Sequence, residues 1–282
     1  MKLRTFAAAI AFGALSAAAT VSFAAADKKG DQAIEKAVAA DSRSADSKSR
    51  DVYRHPAEAL EFWGLKPGMT ILELQPGGGW WTEILAPYAK NNKGEFYATA
   101  ADLANPETSE GARKGRADFE AKYADAAVFG KVNLVNWGPK AAPLPANKFD
   151  FVLAARVFHG WMNGNTQDAN LAKIFASLKP GGILAIEQHR GNPGAEPVKQ
   201  GYVTEQAVID AATKAGFKLD GKSEINANPK DTKDHPFGVW TLPPVRQSSE
   251  GGKPVDPAFD RAKYDAIGES DRMTLRFVKP KK

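Results

Sequence analysis

Between Thr70 and Ala86 a short apolar run, Ile71-Leu72-Glu73-Leu74, meets Gln75-Pro76 and three consecutive glycines, Gly77, Gly78 and Gly79. The chain then passes directly into an amphipathic stretch beginning Trp80-Trp81-Thr82-Glu83. An apolar run of that length bounded by glycines predicts a buried strand, and the stretch after it predicts a helix. Strand, tight glycine turn and helix form the unit on which α/β proteins seat nucleotide-like ligands. Glycine admits positive φ and puts no Cβ between the backbone and a ligand. The first N–H groups of the helix point into the same crevice.

Further apolar runs at 94–99, 132–135, 149–154 and 183–187 are separated by helical patterns at 80–89, 107–123 and 168–178. This alternation predicts an α/β fold with a mostly parallel sheet covered on both faces. Pro56 to Trp63 reads as a helix stopped by Gly64, and Pro87 is expected to weaken the last turn of the helix after the glycines. A helix over 204–216 precedes closing strands at 217–225 and 272–278; with no helix between them, they are expected to pair antiparallel. The intervening segment, 227–271, is long for a structureless loop and is expected to pack on the domain and help build a site.

Lys2 and Arg4, an Ala-rich apolar run from Phe6 to Phe23 and the small-residue site Ala24-Ala25-Ala26 predict a signal peptide over 1–26, cut after Ala26. The protein is then expected to be periplasmic or secreted, without stable membrane insertion; an uncleaved anchor is the alternative. The Ser-, Asp- and Lys-rich residues 27–50 predict a flexible arm, followed by one domain over 51–282. The net charge of +5 is interspersed rather than gathered into a basic stripe, which argues against nucleic acid as a partner. With no cysteine there is no disulfide or thiol chemistry, and no two of the four histidines have short metal-ligand spacing, so no metal site is expected. Oligomeric state is not legible.

In order, the strand and glycine turn, Phe149-Asp150-Phe151-Val152, Leu178-Lys179-Pro180-Gly181-Gly182-Ile183-Leu184 and Ala215-Gly216-Phe217 resemble a class I S-adenosylmethionine-dependent methyltransferase. Within that superfamily the chain is most similar to a group of exported predicted methyltransferases. That group carries Arg-Asp-x-x-Arg-x-Pro, His-x-Trp-Met and Gly-Glu-Ser-Asp-Arg-Met-Thr elements, here Arg50 to Pro56, His159 to Met162 and Gly268 to Thr274. The resemblance implies a Rossmann-like, seven-stranded sheet, mostly parallel, with the C-terminal strand inserted antiparallel and helices on both faces. It also implies S-adenosylmethionine as cofactor, and methyl transfer to a small-molecule or envelope acceptor. Glu73, Gly77, Gly78 and Gly79 would shape the cofactor crevice, with Gly77 and Gly79 under the methionine and ribose. Either Trp80 or Trp81 faces the sulfonium, a cation–π contact of about 0.5–2 kcal/mol, or it packs the helix on the sheet. The acid that usually holds the ribose falls at Ala100, with Asp102 as a displaced substitute, and the acid that usually meets the adenine amino group falls at Lys140.

Methyl transfer from a sulfonium is an in-line displacement that needs alignment and exclusion of water, and a base only where the acceptor must lose a proton. His159 is the candidate catalytic base, with His189 able to share the proton work. Arg156, Trp161 and Asn163 after the fourth strand are candidates for holding the acceptor. Glu187 and Arg190 after the fifth, and Tyr53 and His55 from the N-terminal side, are further candidates. Each has a bland alternative as a loop brace or surface turn, and Asp271 with Arg272 is expected to form a structural ion pair. A competing function is a catalytically inactive methyltransferase fold that binds a ligand or partner in the periplasm, favoured by Ala100, Lys140 and the export signal. A dinucleotide oxidoreductase fits less well, because the turn is not a spaced G-x-G-x-x-G.

Overall fold

The alternating apolar runs build a single twisted sheet. The computed structural model describes residues 28–281, so the signal-peptide segment lies outside the described residues. Four helices come first: α1 (Lys28–Val38), α2 (Ala45–Lys48), α3 (Asp51–Arg54) and α4 (Pro56–Trp63). The alternating part follows as β1 (Thr70–Leu74), α5 (Thr82–Asn91), β2 (Glu95–Ala101), α6 (Glu110–Lys122), α7 (Ala126–Phe129), β3 (Val132–Trp137) and β4 (Phe149–Ala155). Next are α8 (Phe158–Asn163), α9 (Gln167–Ser177), β5 (Leu178–Gly191), β6 (Val198–Lys199), β7 (Tyr202–Thr204) and α10 (Glu205–Lys214). The chain closes with β8 (Lys218–Ser223), α11 (Arg261–Asp265) and β9 (Arg272–Val278).

The main layer runs β3-β2-β1-β4-β5-β9-β8, with β9 antiparallel to both β5 and β8 and the other pairings parallel. This is the expected seven-stranded, mostly parallel sheet, extended beyond β5 by the short strands β7 and β6. Strand order reverses at β1 and β4, where a crevice opens beyond their carboxyl ends. Period-two alternation divides the core. Ile71, Phe151, Leu153, Ile183 and Ala185 face α1, α4 and α5, whereas Leu72, Leu74, Val152, Leu184 and Ile186 face α8, α9 and α10. Trp63 is fully buried on the first face and donates its indole N–H to the carbonyl of Leu275 at 3.0 Å.

Pro87 lies inside α5, whose burial covers Thr82 through Ala89, and the helix runs to Asn91. One sequence expectation needs correction. Residues 28–50 are a folded part of the domain rather than a flexible arm: Gly30, Ile34 and Ala37 form a buried stripe at helical spacing, packed against α4 and α5. The polar residues that suggested disorder are consumed by specific bonds. Arg43, 3% exposed, grips Asp51 through two hydrogen bonds of 2.6 and 2.7 Å. The backbone N–H of Ser44 donates to buried Glu83 of α5 at 3.2 Å. Among the described residues no helix is long and apolar enough to cross a membrane.

Candidate functional site

At the carboxyl ends of β1 and β4 lies a cavity of about 340 Å³. The glycine turn, Trp80 and Trp81 line it from one element, Ala155, Arg156 and Val157 after β4 from a second, and Ser47 and Arg50 of the N-terminal helices from a third. Two non-glycine residues at its rim hold left-handed backbone: Gln75 directly after β1 at φ +47°, and Arg156 directly after β4 at φ +57°. Such conformations cost of order 1–3 kcal/mol and persist only where the surroundings impose them. Gln75 is held by Thr99, whose hydroxyl accepts its N–H at 2.6 Å, and by Trp161, whose indole N–H donates to its side-chain oxygen at 2.6 Å. The N–H of Arg156 is held by the carbonyl of Glu187 at 2.6 Å.

The three glycines have different reasons to be glycine. A Cβ on Gly77 or Gly78 would meet no atom within 4 Å, which leaves the backbone open to a ligand. Gly79, in contrast, is pressed against Tyr123; a Cβ there would lie 1.9 Å from the phenol oxygen, which itself donates to the Gly79 carbonyl at 2.9 Å. Its role is packing, and it does not line the cavity.

Trp80 lines the cavity, but the expectation that a tryptophan ring awaits a sulfonium needs revision. Arg54 lies 4.7 Å and Arg43 5.4 Å from the Trp80 ring centroid, so guanidinium groups of the protein already use its π-face. Trp81 is 1% exposed, packs on Trp63 and donates to Glu187 at 3.3 Å.

Glu73 also lines the cavity at 2% exposure, accepting the Thr82 hydroxyl at 2.6 Å. Burial pushes its carboxyl up to about 7, against the opposing pull of the Thr82 hydrogen bond and Arg156.

Beside the cavity is a buried ionic cluster that joins the first and last sequence motifs. Glu269 accepts from Arg50 at 2.7 Å and Arg54 at 2.8 Å and lies 3.1 Å from Arg272. Arg272 also donates to Glu187 at 2.8 Å and to the Tyr53 carbonyl at 2.5 Å. Burial opposes ionisation of Glu269, but Arg272, Arg54 and Arg50 outweigh it and hold its pKa at about 2. Glu187 is likewise held below the ordinary carboxylate range, burial being outweighed by Arg272, Arg156 and Arg54. Glu187 is therefore committed to the cluster rather than free for an acceptor. The expected Asp271–Arg272 pair does not form: Asp271 pairs with Arg190 at 2.8 Å and Lys233 at 2.9 Å instead.

The remaining candidates do not line this cavity. His159 and His189 sit together, ring centroids 5.8 Å apart, with His159 also beside Trp240 and His189 bonded to Ser270 at 2.6 Å. Burial, then the charge of Arg156, lowers the His189 pKa well below the usual histidine value; burial also lowers that of His159. Both are neutral near pH 7. Trp161 is buried as the clamp on Gln75, Asn163 is exposed, and Arg190 faces a second cavity with Glu224 and Asp271. Tyr53 packs against Gly268, and His55 is bonded to Asn226 at 3.2 Å.

Asp102 accepts from Asn136 at 2.8 Å and Ala104 at 3.0 Å, and so braces the loop after β2. Lys140 forms an exposed pair with Glu107, and neither it nor Ala100 reaches the cavity. The lining residues Ser47, Arg50 and Gln75 were not singled out as site residues from sequence. Only the Arg50 motif and the position of Gln75 before the glycines hinted at them.

Residues 72–186 match the family model described as a methyltransferase domain. The ubiquinone/menaquinone biosynthesis C-methyltransferase UbiE of Shewanella pealeana is 31% identical over 127 residues, 45% of each chain. Its counterpart from Shewanella piezotolerans is 32% identical over the same length. The chain thus spans less than half the length of these curated relatives, 45% in each. Among solved structures, the [4+2]-cyclase SpnF aligns with TM-score 0.52 at 17% identity over 86% of each chain. A putative sarcosine dimethylglycine methyltransferase from Galdieria sulphuraria aligns with TM-score 0.51 at 12% identity, over 83% of this chain and 88% of that one. Sheet order, the inserted antiparallel strand and the matched segment agree: this chain has the class I S-adenosylmethionine-dependent methyltransferase fold.

Proposed function

We propose that the protein is an S-adenosylmethionine-dependent methyltransferase that acts on a small-molecule acceptor. The observation that carries this reading is the cavity at the reversal of strand order, floored by the open backbone of Gly77 and Gly78. The cofactor supplies an electrophilic methyl group. The chain's residues bind and orient: the glycine turn admits the ligand backbone-close, and the tryptophans wall it from water. The strained Gln75 and Arg156 fix the rim. His159 and His189, neutral and half-buried, serve as proton acceptors only for an acceptor large enough to reach beyond the cavity. The signal-like N-terminus supports action in the cell envelope, as does the resemblance to exported predicted methyltransferases.

A second reading, a ligand-binding protein without methyl transfer, is favoured by one observation. The positions that usually hold the adenosine carry Ala100 and a Lys140 already paired with Glu107, while Asp102 is tied to Asn136. A [4+2]-cyclase on the same fold illustrates that the architecture hosts more than one kind of protein. Calorimetric titration of S-adenosylmethionine and S-adenosylhomocysteine separates the two. Saturable one-to-one binding, lost in Gly78→Val, supports the methyltransferase; no binding by the folded protein at millimolar ligand removes it. Fractionation of cells that express the full chain, with the N-terminus of the recovered protein sequenced, tests the envelope location.

A further inference from the structure

Alongside the cavity the protein gathers more positive than negative charge: Arg54 and Arg272 are buried, and the half-buried Arg50 and Arg156 add to them. Four guanidinium groups, Arg50, Arg54, Arg156 and Arg272, share two carboxylates, Glu187 and Glu269. Glu73, the other carboxyl at the cavity, holds its proton up to about pH 7 and compensates only in part. The two nearby histidines are neutral, and Arg43 is neutralised by its own partner Asp51. Like charges crowded at a half-buried site repel one another, and a counter-anion at the cavity would relieve that cost.

Hydrogen bonding carries the same excess. Arg156 approaches Glu187 only to 3.5 Å, and its buried Nη1 has no hydrogen-bond partner among the described residues; nor has Nη1 of Arg54. A guanidinium carries five donors in a planar fork suited to a carboxylate or phosphate, and it does not escape by deprotonation. Arg156 is also the residue held in left-handed backbone at the cavity rim, and with Arg50 it lines the cavity. A cationic sulfonium placed in this cavity would be repelled unless an anion lay beside it.

We infer that the cavity holds an oxyanion, a carboxylate or phosphate group, seated against Arg156 and Arg50. It comes either from the amino-acid end of the cofactor or from an anionic acceptor. The first source rests on the methyltransferase reading; the site itself does not.

The test is calorimetric titration with three probes: inorganic phosphate, S-adenosylhomocysteine, and 5′-methylthioadenosine, which keeps the adenosine and thioether but lacks the carboxylate. Wild type is compared with Arg50→Gln and Arg156→Gln, each verified as folded by circular dichroism. The two arginines are on separate segments and similarly exposed, so either variant keeps the test informative if the other fails to fold. A loss of about tenfold or more for S-adenosylhomocysteine, with methylthioadenosine unchanged, supports the site and assigns it to the cofactor carboxylate. Phosphate binding that survives saturation with S-adenosylhomocysteine and is lost in the variants supports the site and assigns it to the acceptor. Phosphate binding without any S-adenosylhomocysteine binding keeps the oxyanion site and removes the methyltransferase reading. The inference is overturned if a folded variant binds all three probes as wild type does. It is also overturned if wild type ignores phosphate while a folded variant loses the two adenosine ligands equally.

Discussion

Arg54 donates from Nε to Oε2 of Glu269 across 2.8 Å, between two side chains no more than 4% exposed and 215 positions apart. Arg50 meets the other oxygen of the same carboxylate, so a single glutamate ties the N-terminal helices to the approach to β9. The two outer sequence motifs are thereby one structural unit, and that unit borders the cavity.

Glu269→Gln is expected to destabilise the protein by about 3–5 kcal/mol at neutral pH, since it strands buried guanidinium groups. Urea denaturation measures this. The folded pKa of about 2 lies below the ordinary carboxylate value of 4.5. The ionised group therefore contributes its stability above about pH 4.5, and the contribution is lost as the pH falls toward 2. The variant should show a shallower acid limb; an unchanged limb would place the acid sensitivity elsewhere.

Glu73 carries the opposite sign. Its folded pKa of about 7 lies above the ordinary value of 4.5, so its protonated form is favoured on folding. That contribution is present below about pH 4.5 and is lost as the pH rises through 7. Glu73→Gln, which keeps an acceptor for Thr82, should leave stability at pH 4 within about 1 kcal/mol of wild type. At pH 8 it should raise stability by up to ~3 kcal/mol. Denaturation midpoints at the two pH values decide the matter.

Neighbouring glycines should respond differently to a methyl group. Gly79→Ala meets both a φ of +82° and the Tyr123 hydroxyl, and should cost about 2–4 kcal/mol. Gly78→Ala meets open space and should stay within about 0.5 kcal/mol of wild type. Thermal melts of the pair test the division between a packing glycine and a ligand-facing one.

Ile34→Ala removes a side chain 1% exposed between α1 and the body of the domain, and should cost about 2–4 kcal/mol. A change below about 0.5 kcal/mol would mean that α1 contributes no core, as expected of a flexible segment.

The centre of the sheet was legible because β1, β4 and β5 are buried on both faces and read as apolar runs; Phe149-Asp150-Phe151-Val152-Leu153-Ala154 falls within β4, one residue short of its end. The N-terminal helices were not legible, because their hold on the domain is polar. Arg43, Ser44 and Ser47 look like solvated residues until Asp51 and Glu83 are in place. The site was half legible. Gly77, Gly78 and Arg156 could be named from the turn and the strand end. Seating His159 off the cavity required knowing that Phe158 to Asn163 coils into a helix anchored by buried Phe158 and Trp161, and seating His189 required its pairing in β5 with Arg272 of β9. The left-handed backbone at Gln75 and Arg156 is imposed by Thr99, Trp161 and Glu187, partners far away in sequence that local pattern does not contain.

β9 is hydrogen-bonded along both edges, to β5 and to β8, although it is the last strand among the described residues. A nascent chain that has not yet released Arg272 to Val278 from the ribosome leaves facing edges of both neighbours bare, and Trp63 without its acceptor on Leu275. Strands β5 and β8 must therefore wait, unpaired along those edges and open to chaperones, until residues 272–278 emerge. Closure of the sheet cannot precede the synthesis of Val278, and it must bring together segments far apart in the chain.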